Sequence, residues 1–131
     1  MYKKTVTYTD YNGVERTESF YFNLSEAEIV EMELGVDGGW HERMQRIIDS
    51  KDSPTIMREF KNLIMMSYGE KSEDGKRFVK SPALSEAFVQ TEAYNKIFME
   101  IVTDAKAASD FANGIIPEKG RSRQDMLPSS K

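Results

Sequence analysis

The dipeptide Asn12-Gly13 stands between two runs of β-forming residues, and this arrangement limits the fold more than any other feature of the chain. Val6 and Tyr8 alternate with threonines before it, and Thr17 and the cluster Ser19-Phe20-Tyr21-Phe22 follow it. β-Branched and aromatic side chains suit a pleated surface, and Asn-Gly supplies the positive φ angles of a tight hairpin turn. Residues 2–23 are therefore expected to form a β-hairpin. Neighbours on a strand point to opposite faces, so consecutive Phe20, Tyr21 and Phe22 imply apolar character on both. One face should meet helices, and the other should be covered or open to a partner.

After the hairpin the apolar period lengthens to that of a helix. In Leu24-Ser25-Glu26-Ala27-Glu28-Ile29, Ser25 can cap the Glu28 amide while Glu28 reaches back, and Leu24 can staple to Ile29. This predicts a helix from Glu26 that stops at Gly35. Asp37-Gly38-Gly39 breaks the chain, and Trp40, Met44, Ile47 and Ile48 then share one face of a second helix. Ser53-Pro54 is a cap followed by proline, opening a third helix with Ile56, Met57, Phe60, Leu63 and Ile64 as its stripe. The polar run 69–80 reads as a loop or short hairpin turned at Asp74-Gly75, with Phe78 and Val79 on the return strand. Ser81-Pro82 starts a short helix through Val89. Thr91 caps the next, whose face is Tyr94, Ile97, Phe98, Ile101 and Val102. Ala105, Ala108 and Phe111 continue that helix or form a separate last one, closed by Gly114 and Pro117. The expected fold is α+β and mostly helical, an N-terminal hairpin packed on a bundle of about five short helices. It makes one domain over 1–117 (hairpin 2–23, helices 25–114), with a flexible tail over 118–131.

Composition excludes several kinds of chemistry. The 131 residues contain no cysteine, which removes disulfides, thiolate metal sites and cysteine nucleophiles and fits a reducing compartment. No apolar leader opens the chain and no run of eighteen apolar residues occurs, so the cytoplasm is the expected location. Net charge is -4, which argues against binding a phosphate backbone. The charge is uneven: residues 1–117 carry 14 Lys+Arg against 20 Asp+Glu, and 118–131 carry 4 against 2. A small nucleic-acid regulator, supported by Arg121-Ser122-Arg123 and Lys76-Arg77 alone, is the alternative reading.

Motifs for catalysis or cofactors fail on spacing. Between Gly69 and Gly75 five residues intervene where a P-loop has four, and Arg77 stands where its magnesium-binding hydroxyl belongs. Read as a calcium loop from Glu70, the same segment has Ser81 at the twelfth position instead of a bidentate Glu. His41 is the only histidine and lacks zinc spacing or a nucleophile elbow. It reads as a helix-start residue. Glu26, Glu31 and Glu33 suit a solvated face near a helix N-terminus. Met57, Met65 and Met66 fit core gap-filling or an adaptable groove. No catalytic residue, metal ligand or cofactor is expected.

The stretch Ser67-Tyr68-Gly69-Glu70-Lys71-Ser72-Glu73-Asp74-Gly75-Lys76-Arg77-Phe78-Val79-Lys80-Ser81 resembles the tail assembly chaperones of long-tailed phages and prophages of Gram-positive bacteria. Phe20-Tyr21-Phe22-Asn23-Leu24, Glu31-Met32-Glu33, Thr91-Glu92-Ala93-Tyr94 and Asn113-Gly114-Ile115-Ile116-Pro117 resemble that family in the same order, so the likeness covers about residues 2–117. The resemblance implies a non-enzymatic protein that coats the tape measure protein, brings major tail (tube) protein subunits to it and leaves before the virion is finished. A homo-oligomer is left open. Candidate partner-binding residues are Phe20, Phe22, Trp40, Tyr68, Lys76, Arg77 and Phe78.

Overall fold

The computed structural model describes residues 1–35 and 38–116. The expected tail, the boundary at residue 117, Pro117 and Asp37 lie outside the described residues. Strands β1 (Tyr2–Thr9) and β2 (Glu15–Phe22) pair antiparallel along their full length, from Tyr2 opposite Phe22 to Thr9 opposite Glu15.

The turn joining them is wider than the two-residue turn expected. Asp10 N–H donates to the Val14 carbonyl at 2.9 Å and Gly13 N–H to the Asp10 carbonyl at 3.0 Å. Only Gly13 takes a positive φ, 81°, while Asn12 does not, as in a three-residue loop that ends in a left-handed glycine. Asp10 decides the difference, because its Oδ1 accepts from the Asn12 and Val14 amides, each at 2.9 Å. An aspartate that bonds backbone two residues ahead builds its own turn.

The two faces of the hairpin also differ from expectation. Tyr2, Val6, Tyr8, Phe20 and Phe22 turn inward, whereas the outer face is a ladder of hydroxyls: Thr5 bonds Ser19 at 2.8 Å and Thr7 bonds Thr17 at 2.9 Å. Tyr21 is the one aromatic on that outer face, with the Lys71 ammonium 4.4 Å from its ring centre. Phe20-Tyr21-Phe22 therefore supplies one apolar face and a half-covered tyrosine on the other.

Helix α1 (Glu26–Leu34) starts on the expected capping box and ends at Gly35. Leu24 and Ile29 are both buried, as a hydrophobic staple requires. Helix α2 (Trp40–Ser50) buries Trp40, Met44 and Ile47. Helix α3 (Ser53–Ser67) has Asp52 instead of Ser53 at its N-cap position, with no side-chain bond to a helix amide, and buries Phe60, Leu63, Ile64 and Ser67, but leaves Met57 exposed. Strands β3 (Tyr68–Lys71) and β4 (Phe78–Val79) form the short hairpin expected around Gly75, whose φ is 74°. Ser81 and Thr91 cap α4 (Pro82–Val89) and α5 (Glu92–Thr103) through the amides of Leu84 and Tyr94. Asp104 interrupts the next stretch and caps a separate α6 (Ala105–Gly114). Six helices among the described residues thus replace the expected five or so.

The sheet runs β1-β2-β3-β4, all neighbours antiparallel. Helix α5 lies against β1, where Lys4 pairs with Glu100 at 2.8 Å and Lys96 donates to the Thr7 carbonyl at 2.7 Å. The core centres on Phe22, fully buried among the rings of Tyr2, Tyr68, Phe88 and Phe111 at centroid distances of 5.5–6.1 Å. Tyr68 stacks on Phe88 at 4.2 Å. Burying an aromatic ring removes about 150–250 Å² from water, so this cluster contributes strongly to folding. The Leu24 amide donates to the Ile115 carbonyl at 2.9 Å, which ties the end of α6 to the start of α1.

Candidate partner-binding surfaces

All the sequence-predicted partner residues except Trp40 fall on the sheet or its β3–β4 turn, but they divide by burial. Phe22 is fully buried, Trp40 is 5% exposed and Tyr68 is 8% exposed. Their rings face the core, and in this conformation they present almost no surface to a partner. Apolar stripes locate such residues in sequence without telling an inward ring from an outward one. Phe20 and Phe78 are half-buried, and Lys76 and Arg77 are exposed.

The β3–β4 turn is held by its own polar groups. Ser72 Oγ donates to Asp74 Oδ1 at 2.7 Å, and the Lys76 and Arg77 amides donate to Asp74 Oδ1 and Ser72 Oγ, each at 3.0 Å. These bonds hold the Asp74 carboxyl below its ordinary value, the Lys76 amide first and the Ser72 hydroxyl next. Asp74 and Ser72 thus build the turn that displays Lys76 and Arg77. Phe78 crosses Gly69: a β-carbon on Gly69 would stand 2.7 Å from the Phe78 ring and 2.7 Å from the Val79 carbonyl oxygen. Glycine is needed there because the strands approach so closely.

Beside this turn lies a groove of about 460 Å³ lined by β2 and β3, with Phe20, Tyr21, Gly69 and Lys71 among its walls. It exists because β2 pairs with β3 only at Tyr21 and Phe22, so Glu15–Ser19 have no strand on that side. Glu18 and Glu70 stand at its rim. Glu18 accepts a hydrogen bond from the Tyr8 hydroxyl, which, with burial adding, raises that phenol above its ordinary value. Trp40 sits elsewhere, in a crevice of about 140 Å³ between α2 and α6.

Sequence reasoning missed three features. Glu33 does not simply face solvent: its Oε1 accepts from the His41 amide at 3.1 Å and lies 3.3 Å from His41 Nδ1, so α1 caps α2. Burial raises the Glu33 carboxyl, but the His41 ring and amide outweigh it and leave the group below its ordinary value. Lys80 donates to both Glu28 oxygens at 2.7 and 2.9 Å and to the Asn23 carbonyl at 3.1 Å, clamping β4 to the entry of α1. Glu28 is likewise raised by burial and lowered further by Lys80 and Ser25. The third is an outward apolar stripe on α1, Val30 at 41% and Leu34 at 84% exposure. Its sequence signal was available, since 30 and 34 are out of phase with Ile29 and Met32.

No group of three or more metal-ligating side chains occurs among the described residues, and no helix among them is long and apolar enough to cross a membrane. The surface carries exposed cations on a fixed turn, an open strand edge with Glu18 and Glu70 beside it, and an apolar helix stripe. No curated protein and no solved structure matches the chain. The phage tail assembly chaperone family matches residues 1–126, nearly the whole length, and this chain belongs to that family.

Proposed function

We propose that this protein binds the tape measure protein and the tail tube protein during tail assembly and performs no bond-making step of its own. The observation that carries the reading is the family match over residues 1–126. The physics agrees with it. A long apolar helical protein needs a partner that shields it reversibly, and a body carrying exposed apolar side chains within a net negative charge of -4 offers contact without strong self-adhesion. Lys76, Arg77, Phe78 and Phe20, on the sheet side, form the docking surface in this reading. Residues 1–117 act as one folding unit, consistent with a core cluster that runs from Phe22 to Ile116. The protein works in the host cytoplasm and is left out of the finished virion. Self-association uses the hairpin, whose strand β1 ends the sheet.

The test is co-expression of the full chain with each tail protein. The expected result is that the tape measure protein moves into the soluble fraction and both tail proteins co-purify, while mass spectrometry of finished virions finds none of this chain. Recovery of neither tail protein overturns the reading.

A further inference from the structure

Helix α1 is apolar on two sides. Ile29 is 5% exposed and packs into the core with Met32 beside it, while Ala27, Val30 and Leu34 face outward. Those outward positions follow i, i+3 and i+7, the spacing of a helix seam. Leu34 at 84% is the most exposed large apolar side chain of the described residues. Local propensity does not require leucine or valine there, because an isolated solvent-facing seam of this length costs solubility and gains no packing.

The charge around the seam is one-sided. Helix α1 carries Glu26, Glu28, Glu31 and Glu33 and no cation. Lys80 neutralises Glu28 and His41 lies against Glu33, both toward the body. Glu31 is exposed and lies on the outward side with Val30 and Leu34. The capping box, the Lys80 clamp and the cap that Glu33 places on α2 fix the helix from its inner side, so the outer seam is preorganised and binding it orders little of this chain.

We infer that the outer face of α1, with Val30 and Leu34 at its centre and Glu31 at its rim, docks an amphipathic helix of a tail protein whose own apolar seam is flanked by lysine or arginine. Helices read such seams as i, i+3, i+4 and i+7 anchors, and charge at the rim selects between partners, because a like charge set against Glu31 is penalised. The seam covers only two helical turns, about 10 Å of helix axis, and its exposed large side chains are Val30 and Leu34, so it buries a small part of the roughly 800 Å² per partner of a stable interface. The contact is therefore weak and releasable, as a partner that leaves the assembly requires. The inference rests on the chaperone reading for the identity of the partner, and on the seam and its charge for the chemistry.

The experiment uses the full chain and two labelled helical peptides that share a leucine seam, one flanked by lysines and one by glutamates, with fluorescence anisotropy as the readout. The lysine peptide is expected to bind at least tenfold tighter, Leu34→Glu and Val30→Glu each to weaken it at least tenfold, and Glu31→Lys to reverse the preference. Both apolar positions are exposed, so circular dichroism should show each variant folded. Equal binding of the two peptides, or no loss in a folded Leu34→Glu chain, overturns the inference, as does a wild-type dimer in sedimentation that Leu34→Glu dissolves, since a second copy then fills the seam. Pull-down of the tail proteins is scored separately: capture that survives Leu34→Glu keeps the chaperone reading and removes this surface from it. Peptide binding without tail-protein capture does the reverse.

Discussion

The two hairpins use nearly the same turn chemistry and reach opposite ends. Each has an aspartate whose Oδ1 accepts the backbone amide two residues on and a glycine with φ near 80°, Gly13 at 81° and Gly75 at 74°. Yet β1–β2 pairs eight residues on each strand and β3–β4 pairs two. The first is carried by its own ladder and contributes Phe22 to the centre of the core. The second is held from outside, by the pairing of β3 with Tyr21 and Phe22 of β2 and by Lys80 against Glu28 and Asn23. Local turn chemistry is therefore enough to start a hairpin, and the length of the strands beside it decides whether it becomes scaffold or display.

Removing the ring at the root of the long hairpin should have the largest effect. Phe22→Ala is expected to cost about 3–5 kcal/mol, read as a lower midpoint in chemical denaturation; a loss below about 1 kcal/mol would mean the aromatic cluster is not the centre of the core. Next comes a pair of glycine changes that sets one hairpin against the other. Gly69→Ala pushes into backbone at Val79 and should cost about 1–3 kcal/mol, whereas Gly13→Ala meets no atom within 4 Å and pays only for its left-handed φ, about 1–2 kcal/mol. Equal amide-exchange protection of β4 in both variants would break the contrast.

Acid should sharpen the same comparison more gently. Glu28 beside the short hairpin and Asp10 in the long one both sit below their ordinary values of 4.5 and 3.8. For Glu28, burial pulls the other way but Lys80 and Ser25 prevail; for Asp10, the Arg16 side chain leads and the Val14 amide adds. A group lowered in the folded state stabilises above its unfolded pKa and loses that contribution as pH falls through the folded one. Stability should be level down to about pH 5 and fall below it. Lys80→Met should cost about 1 kcal/mol near neutrality and flatten the Glu28 part of the fall; an unchanged acid profile would remove the clamp from the account. The smallest effect on folding is expected from Lys76→Ala with Arg77→Ala, within about 0.5 kcal/mol, while capture of tail proteins drops.

Much of the fold was legible because local signals agreed with tertiary ones. The Ser25–Glu28 box, the Ser81 and Thr91 caps and the stop at Gly35 all occupy their expected places, since each depends on residues three or four apart. The Asp10 loop was misread because Asn12-Gly13 outweighed the aspartate ahead of it. Glu33 and Lys80 could not be placed from sequence, because their partners lie 8 and 52 residues away. Periodicity marks Phe22, Trp40 and Tyr68 as apolar without saying what covers them, and all three rings lie in the core. The outward seam of α1 has no cap or turn signal of its own, and Val30 and Leu34 stand out only by being out of phase with Ile29 and Met32.

Amide hydrogen exchange of the full chain, alone and in complex with a co-expressed tail protein, tests the central claim most directly: a closed core with partners held at the surface. The account predicts added protection along the β3–β4 turn, the open β2 edge or α1, with α3, α5 and α6 unchanged. Loss of protection through those core helices on binding would contradict it, because the chain would then open to use Phe22, Trp40 and Tyr68 as its contacts.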